Sequence, residues 1–144
     1  MSKHLVVFID TENISPDGNT GIISLTDYRD YKSVGVFCYG LEDEKSQSSV
    51  EWKKIATSTD GYEWKSVSGP RKKNAVDIAM KNGIKKLLDW SRSDELDVWV
   101  IASSDGGFVP IINQIKSKGH RVIVAYKSIV SDKLELVADE MYHL

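Results

Sequence analysis

The sequence predicts an α/β fold built on a doubly wound, mainly parallel sheet, and three observations predict it. Short apolar runs recur along the chain, at 4–9, 34–39, 98–102 and 121–126. They are continuous rather than alternating, as in strands buried on both faces. Stretches of helical period separate them, most clearly the one carrying Val76, Ala79, Met80, Ile84, Leu87 and Leu88. Two of the runs lead directly into carboxylates, Asp10 and Asp105, at the carboxyl ends of strands where open α/β sheets place their ligands.

In chain order, His4 to Ile9 is the first strand, and Asp10-Thr-Glu-Asn13 follows it. Residues Ser15 to Gly21 are rich in Ser, Pro, Asp, Asn and Gly and read as loop. Ile22 to Tyr31 reads as a helix or an irregular connector, with Thr26 or Asp27 as caps, and Val34 to Tyr39 as the second strand. A helix beginning near Asp43 ends over Val50 to Ala56, and Tyr62 to Val67 alternates like a strand nearer an edge. Gly69-Pro70 opens the longest helix, Arg71 to Trp90. Asp94 to Asp97 turns into the strand Val98 to Ala102. The helix Ile111 to Lys118 follows, with Gly119 as its C-cap. Arg121 to Tyr126 is a fifth strand, Ser131 to Ala138 a last short helix, and Met141 to Leu144 a small strand. No repeat or linker interrupts residues 1–144, so the chain reads as a single domain.

Composition excludes several classes. The longest apolar runs, Leu5 to Ile9 among them, fall far short of the roughly 20 residues of a membrane span. No signal peptide is visible. One cysteine, Cys38, inside an apolar run, rules out a disulfide framework and fits a reducing, cytoplasmic setting. The three scattered histidines form no zinc pattern with it. No phosphate-binding glycine loop of the nucleotide-binding kinds occurs. The net charge of −2 hides an asymmetry: residues 65–86 hold seven of the 19 basic side chains and one of the 21 acidic ones. Such a block suits a polyanion, or it is simply a solvated helix face. Trp64, Trp90 and Trp99 read as core or partly buried edges, whereas Trp52 and Tyr62, near basic residues, could stack on the bases of a single strand.

If the first and fourth strands are neighbours, Asp10 and Asp105 lie side by side, and Asp77 in the first two turns of the long helix is a third candidate. Converging carboxylates raise one another's pKa or recruit a cation. Mg²⁺ or Mn²⁺ is the natural occupant, because it binds through few carboxylates plus phosphate oxygens and can activate water against a phosphodiester. Asn13 could anchor a water or a phosphate, and Ser103 and Ser104 could orient Asp105. Lys72 and Lys73, with Arg71, crowd a helix N-terminus, where the macrodipole makes cations unfavourable unless an anion is near, or else the helix begins nearer Asn74 and these side chains are simply solvated. Each residue also has a plain structural reading. Asp105 suits an N-cap, Asp10 could cap a turn, and Asp77 could pair with Lys73 and Lys81 on its own helix.

These motifs, in this order, resemble the NYN/LabA-like branch of the PIN-like nuclease superfamily. Phe8-Ile9-Asp10-Thr-Glu-Asn13 is similar to its D-x-x-N opening. Lys73-Asn-Ala-Val-Asp77 is similar to its K-x-x-x-D helix, and Ser103-Ser-Asp105-Gly-Gly-Phe108 to its S-G-D-x-D-F signature. The closing Ser131 to Leu134 and Ala138 to Met141 also resemble the family pattern. The resemblance implies a three-layer α/β/α sandwich and a metal-dependent ribonuclease site. Asp10, Asp77 and Asp105 map onto the acidic metal positions and Asn13 onto the amide of the opening motif. One departure is plain: the second acid of the third signature falls on Gly107.

The expected function is therefore Mg²⁺- or Mn²⁺-dependent hydrolysis of RNA phosphodiesters. Asp10, Asp77 and Asp105 would be catalytic and metal-binding, and Asn13, Lys72, Lys73, Ser103 and Ser104 would contact substrate. The alternative, carried by Gly107, is a module that binds RNA or a protein partner without cutting. A phosphohydrolase acting on small ligands ranks third, because Asp10-Thr-Glu12 lacks a second Asp two residues on. A homodimer stays open.

Overall fold

The computed structural model describes residues 3–28, 31–67 and 74–144 of the chain. Six strands, β1 (His4–Asp10), β2 (Lys32–Leu41), β3 (Tyr62–Val67), β4 (Val98–Ala102), β5 (Arg121–Tyr126) and β6 (Glu140–His143), form one sheet in the order β3-β2-β1-β4-β5-β6. Every neighbouring pair is parallel. The helices are α1 (Asn19–Tyr28), α2 (Gln47–Ser58), α3 (Ala75–Leu88), α4 (Val109–Ser117) and α5 (Asp132–Val137). Strands alternate their side chains between faces, and β1 shows how the layers arise. Leu5, Val7 and Ile9 pack with Ile22, Leu25 and Trp52 of α1 and α2. Val6 and Phe8 pack with Met80, Ile112 and Leu134 of α3, α4 and α5. The result is a three-layer α/β/α sandwich, and its strand order reverses between β1 and β4.

Several local readings are sharpened. The segment Ser15 to Gly21, expected as loop, holds a 3-10 turn at Pro16–Gly18 and the first turn of α1. Gly21 is there for close approach: a Cβ would lie 2.8 Å from the Cα of Leu144, which packs on the helix. Thr26 and Asp27 lie in the last turn of α1 and do not cap its start; the Thr26 hydroxyl donates to the Ile23 carbonyl at 2.9 Å. The helix expected from Asp43 begins at Gln47, where Ser46 caps it by accepting from the Ser49 N–H at 3.2 Å. Asp43 belongs to the turn before it, accepting from the Lys45 N–H at 3.0 Å. Gly119 has φ +90° just past α4, as its C-cap role requires.

Trp52 is fully buried and its indole N–H donates to the Ile14 carbonyl at 2.6 Å, so it cannot stack on a base. Tyr62 is tied by its hydroxyl to Asn19 at 2.6 Å. Burial pushes the Cys38 thiol up to about 12, and the cysteine is an inert core residue. Among the described residues no helix is long and apolar enough to cross a membrane.

Candidate active site at the switch point

Asp10 is the last residue of β1, on the same face as Val6 and Phe8, and so points to the α3 side of the sheet. β4 lies beside β1, with Ala102 opposite Ile9, so the chain leaves β4 next to Asp10 and runs through Ser103 and Ser104 to Asp105. α3 begins at Ala75, which sets Asp77 in its first turn. The expected convergence of Asp10, Asp77 and Asp105 therefore occurs at the carboxyl ends of adjacent parallel strands, with each aspartate on a different element.

A polar network fixes this arrangement. Asp10 is 1% exposed and accepts three hydrogen bonds: from the Glu12 N–H at 3.1 Å, the Asn13 side-chain amide at 2.7 Å and the Ser103 hydroxyl at 3.2 Å. Burial raises its pKa, and those donors oppose the rise. The Ser103 hydroxyl also accepts from the Asp105 N–H at 3.2 Å, and the Ser104 hydroxyl donates to the Asn13 side-chain oxygen at 3.0 Å. Ser103, fully buried, is a positioning residue that joins the two strand ends and cannot touch a substrate. Asn13 and Ser104 are accessible but face one another, so their first role is to orient Asp10. Lys72 and Lys73 lie outside the described residues.

Asp105 accepts from the Gly107 N–H at 2.9 Å, so it does cap the following 3-10 turn. The structural and functional readings thus coexist in one side chain. That N–H, and then a proton donated by Asp77, hold the Asp105 carboxyl below its ordinary range. Asp77 shows the converse. Burial first, then the Asp105 carboxylate and the charge of Asp10, push it up to about 7. Below that pH the two carboxyls share one proton, the usual outcome when like charges are forced together.

The fourth corner holds a cation. The Lys81 ammonium sits 3.8 Å from Asp77 Oδ2 and 5.3 Å from the Phe108 ring centroid. A Cβ added at Gly107 would lie 3.2 Å from Lys81 Nζ and 3.3 Å from Asp105 Oδ1. The sequence shows Lys81 only as an i+4 partner of Asp77. Its place beside Gly107, 26 residues on, follows from the packing of α3 against the loop after β4.

Among the described residues no three carboxyl, imidazole or thiol groups enclose a ready ion site. Asp10 is turned into its own hydrogen bonds, while Asp77 and Asp105 face each other. The donor set nevertheless fits a hard divalent cation, which needs only one or two carboxylates beside water and phosphate oxygens. Asp77 and Asp105 would hold it, and Asp10 would supply further negative charge.

The model of one family, the NYN domain, matches residues 4–144. No curated protein matches by sequence. Among solved structures, a protein of unknown function from Vibrio parahaemolyticus superposes with a TM-score of 0.73 at 14% identity, covering 99% of this chain and 93% of that one. A proposed oxidoreductase from Parabacteroides merdae reaches a TM-score of only 0.45 at 11% identity, over 99% of this chain and 31% of its own. The first likeness shows the fold, and the second is too remote to carry weight.

Proposed function

The chain belongs to the NYN domain family, a PIN-like nuclease family, and from that premise we propose that it is a divalent-metal-dependent ribonuclease acting at Asp10, Asp77 and Asp105. The observation that carries the proposal is the proton-sharing pair Asp77–Asp105 at the strand-order reversal, with the charge of Asp10 behind it. Such electrostatic crowding destabilises the ion-free chain and is relieved by a cation. When bound, Mg²⁺ or Mn²⁺ would polarise the scissile phosphate and lower the pKa of a water. The protein's own work is positional. Asn13, Ser103 and the Glu12 N–H fix Asp10, and the Gly107 N–H fixes Asp105. Lys81 offers a cation to a phosphate arriving beside Asp77. Lys72 and Lys73 are proposed as further phosphate contacts on the way in.

The test is cleavage of labelled RNA with Mn²⁺ or Mg²⁺ by the unaltered chain and by Asp105→Asn and Asp10→Asn. The expected result is metal-stimulated cleavage that drops at least about a hundredfold in each variant, with the circular dichroism spectrum unchanged. Undiminished cleavage in both would reject the assignment. A second reading is favoured by one observation: Lys81 places positive charge where the family's fourth acid would stand. On this reading the module binds RNA without cutting, and it predicts steeply salt-dependent binding with no cleavage under any divalent ion.

A further inference from the structure

On the same face of the sheet, between α3 and the strands β2 and β3, lies an open cavity of about 530 Å³. Phe8, Phe37 and Tyr39 floor it, and Lys86, Leu87 and Trp90 wall it. Phe8 precedes Asp10 by two residues on one strand face, so the floor begins about 7 Å along β1 from Asp10. The rings of the floor lie together, with the Phe8 centroid 5.4 Å from that of Phe37 and 6.4 Å from that of Tyr39; Phe8 and Tyr39 are buried and Phe37 is the ring that is partly exposed. Gly83 lets α3 close on the Tyr39 hydroxyl at one end of the cavity. At the other end Trp90, past the end of α3, is 46% exposed. The Arg92 guanidinium lies 5.7 Å from the Trp90 ring centroid, and the rest of this half-bare indole is left as a stacking surface beside the aromatic floor.

The charges select the partner. Lys65 lies 5.7 Å above the Phe37 ring and pairs with Glu63 at 3.0 Å. Asp89 pairs with Lys118 at 3.7 Å. Lys86 has no ion pair among the described residues and gives the rim its surplus positive charge. Aromatic faces beside an unpaired ammonium complement a nucleobase with its phosphate, and the volume lies within the range of a small-ligand site.

We propose that this cavity is a nucleobase subsite, in which a base of the bound RNA strand stacks on the Phe37–Trp90 surface with its phosphate against Lys86. The proposal rests on the ribonuclease reading, and its test separates the two. Binding of a fluorescently labelled single-stranded RNA decamer is measured by anisotropy on the Asp105→Asn chain, which is expected not to cut. Trp90→Ala and Lys86→Glu, both at exposed positions, are then added singly. Each is expected to weaken binding about five- to a hundredfold, the range for loss of one stacked base. For an abasic decamer of the same length, Trp90→Ala should change nothing.

Equal losses from Trp90→Ala on normal and abasic RNA, or a loss under twofold in that variant, would overturn the proposal. So would an RNA affinity indifferent to Trp90 combined with Trp90-dependent quenching by adenosine 5′-monophosphate, which would make the cavity a free-nucleotide site. Failure of the decamer to bind at all overturns it too. Cleavage by the unaltered chain is scored separately. An active nuclease with an indifferent cavity, and a silent chain with a base-stacking cavity, are therefore told apart.

Discussion

Gly107 is the residue at which the chemistry of the site is set. Its φ is not positive, since Gly61 and Gly119 are the glycines in that region among the described residues, so the backbone there accepts any residue. What a side chain would meet is the Lys81 ammonium at 3.2 Å, the far end of a flexible chain that can give way, and the Asp105 carboxylate at 3.3 Å. We predict that Gly107→Asp folds normally and pairs its new carboxylate with Lys81. One more negative charge at about 4 Å is worth at least about 1 kcal/mol toward a cation. Mn²⁺ affinity should therefore rise about tenfold by isothermal titration calorimetry, and any RNA cleavage should rise with it. An affinity that is unchanged or lower would mean that the cation binds elsewhere. The sequence exposes the vacancy at 107 by comparison with a motif, but not the ammonium that fills it. Ser103 was legible as a hydroxyl near Asp105. That it also holds Asp10, 93 residues away, depends on strand adjacency.

At the scale of the element, α3 links the carboxylates to the aromatic cavity. A mid-helix glycine normally costs about 1 kcal/mol relative to alanine, so Gly83→Ala should stabilise an ordinary helix. Here the added Cβ falls on the Tyr39 hydroxyl, and overpacking of that kind costs typically 1–3 kcal/mol. Gly83→Ala is therefore expected to lower the urea midpoint, and adding Tyr39→Phe should recover most of the loss by freeing the space. A stabilised single variant would show that α3 sits farther from β2. Helical period revealed α3 itself, because six apolar residues repeat along one face. Its start was less legible: Asn74 adopts a left-handed conformation (φ 68°) immediately before Ala75, a backbone choice no periodicity encodes. The exposure of Trp90 was likewise hidden, since it reflects where the helix stops rather than what residue is present.

Across the whole molecule, continuous apolar runs disclose buried parallel strands, but their order is a tertiary fact. β1 pairs with β2 on one side and β4 on the other, and that one adjacency makes three distant aspartates a site. The site in turn couples global stability to protons and metal. Asp77 titrates near its ordinary 3.8 when unfolded and is raised to about 7 when folded, so between those values the folded chain holds a proton that the unfolded chain has lost. Its contribution is therefore fully present below pH 3.8 and is lost as pH rises to about 7. Asp105, lowered in the fold by the Gly107 N–H and by Asp77, acts oppositely at the acid end and sets the lower limit of the window. The metal-free chain should thus lose thermal stability from about pH 4 to pH 7 and level off above, and Asp77→Asn should flatten that slope. A divalent cation must displace the shared proton, so its stabilising effect grows over the same window. At 100 times its Kd it contributes about 2.7 kcal/mol, or roughly 8 °C for a domain of this size. Thermal scans with and without Mn²⁺ at pH 5, 6, 7 and 8 should show the Mn²⁺ increment smallest at pH 5 and largest from pH 7 upward, and absent throughout in Asp77→Asn. An increment independent of pH, or one that survives in Asp77→Asn, would place the ion away from the Asp77–Asp105 pair.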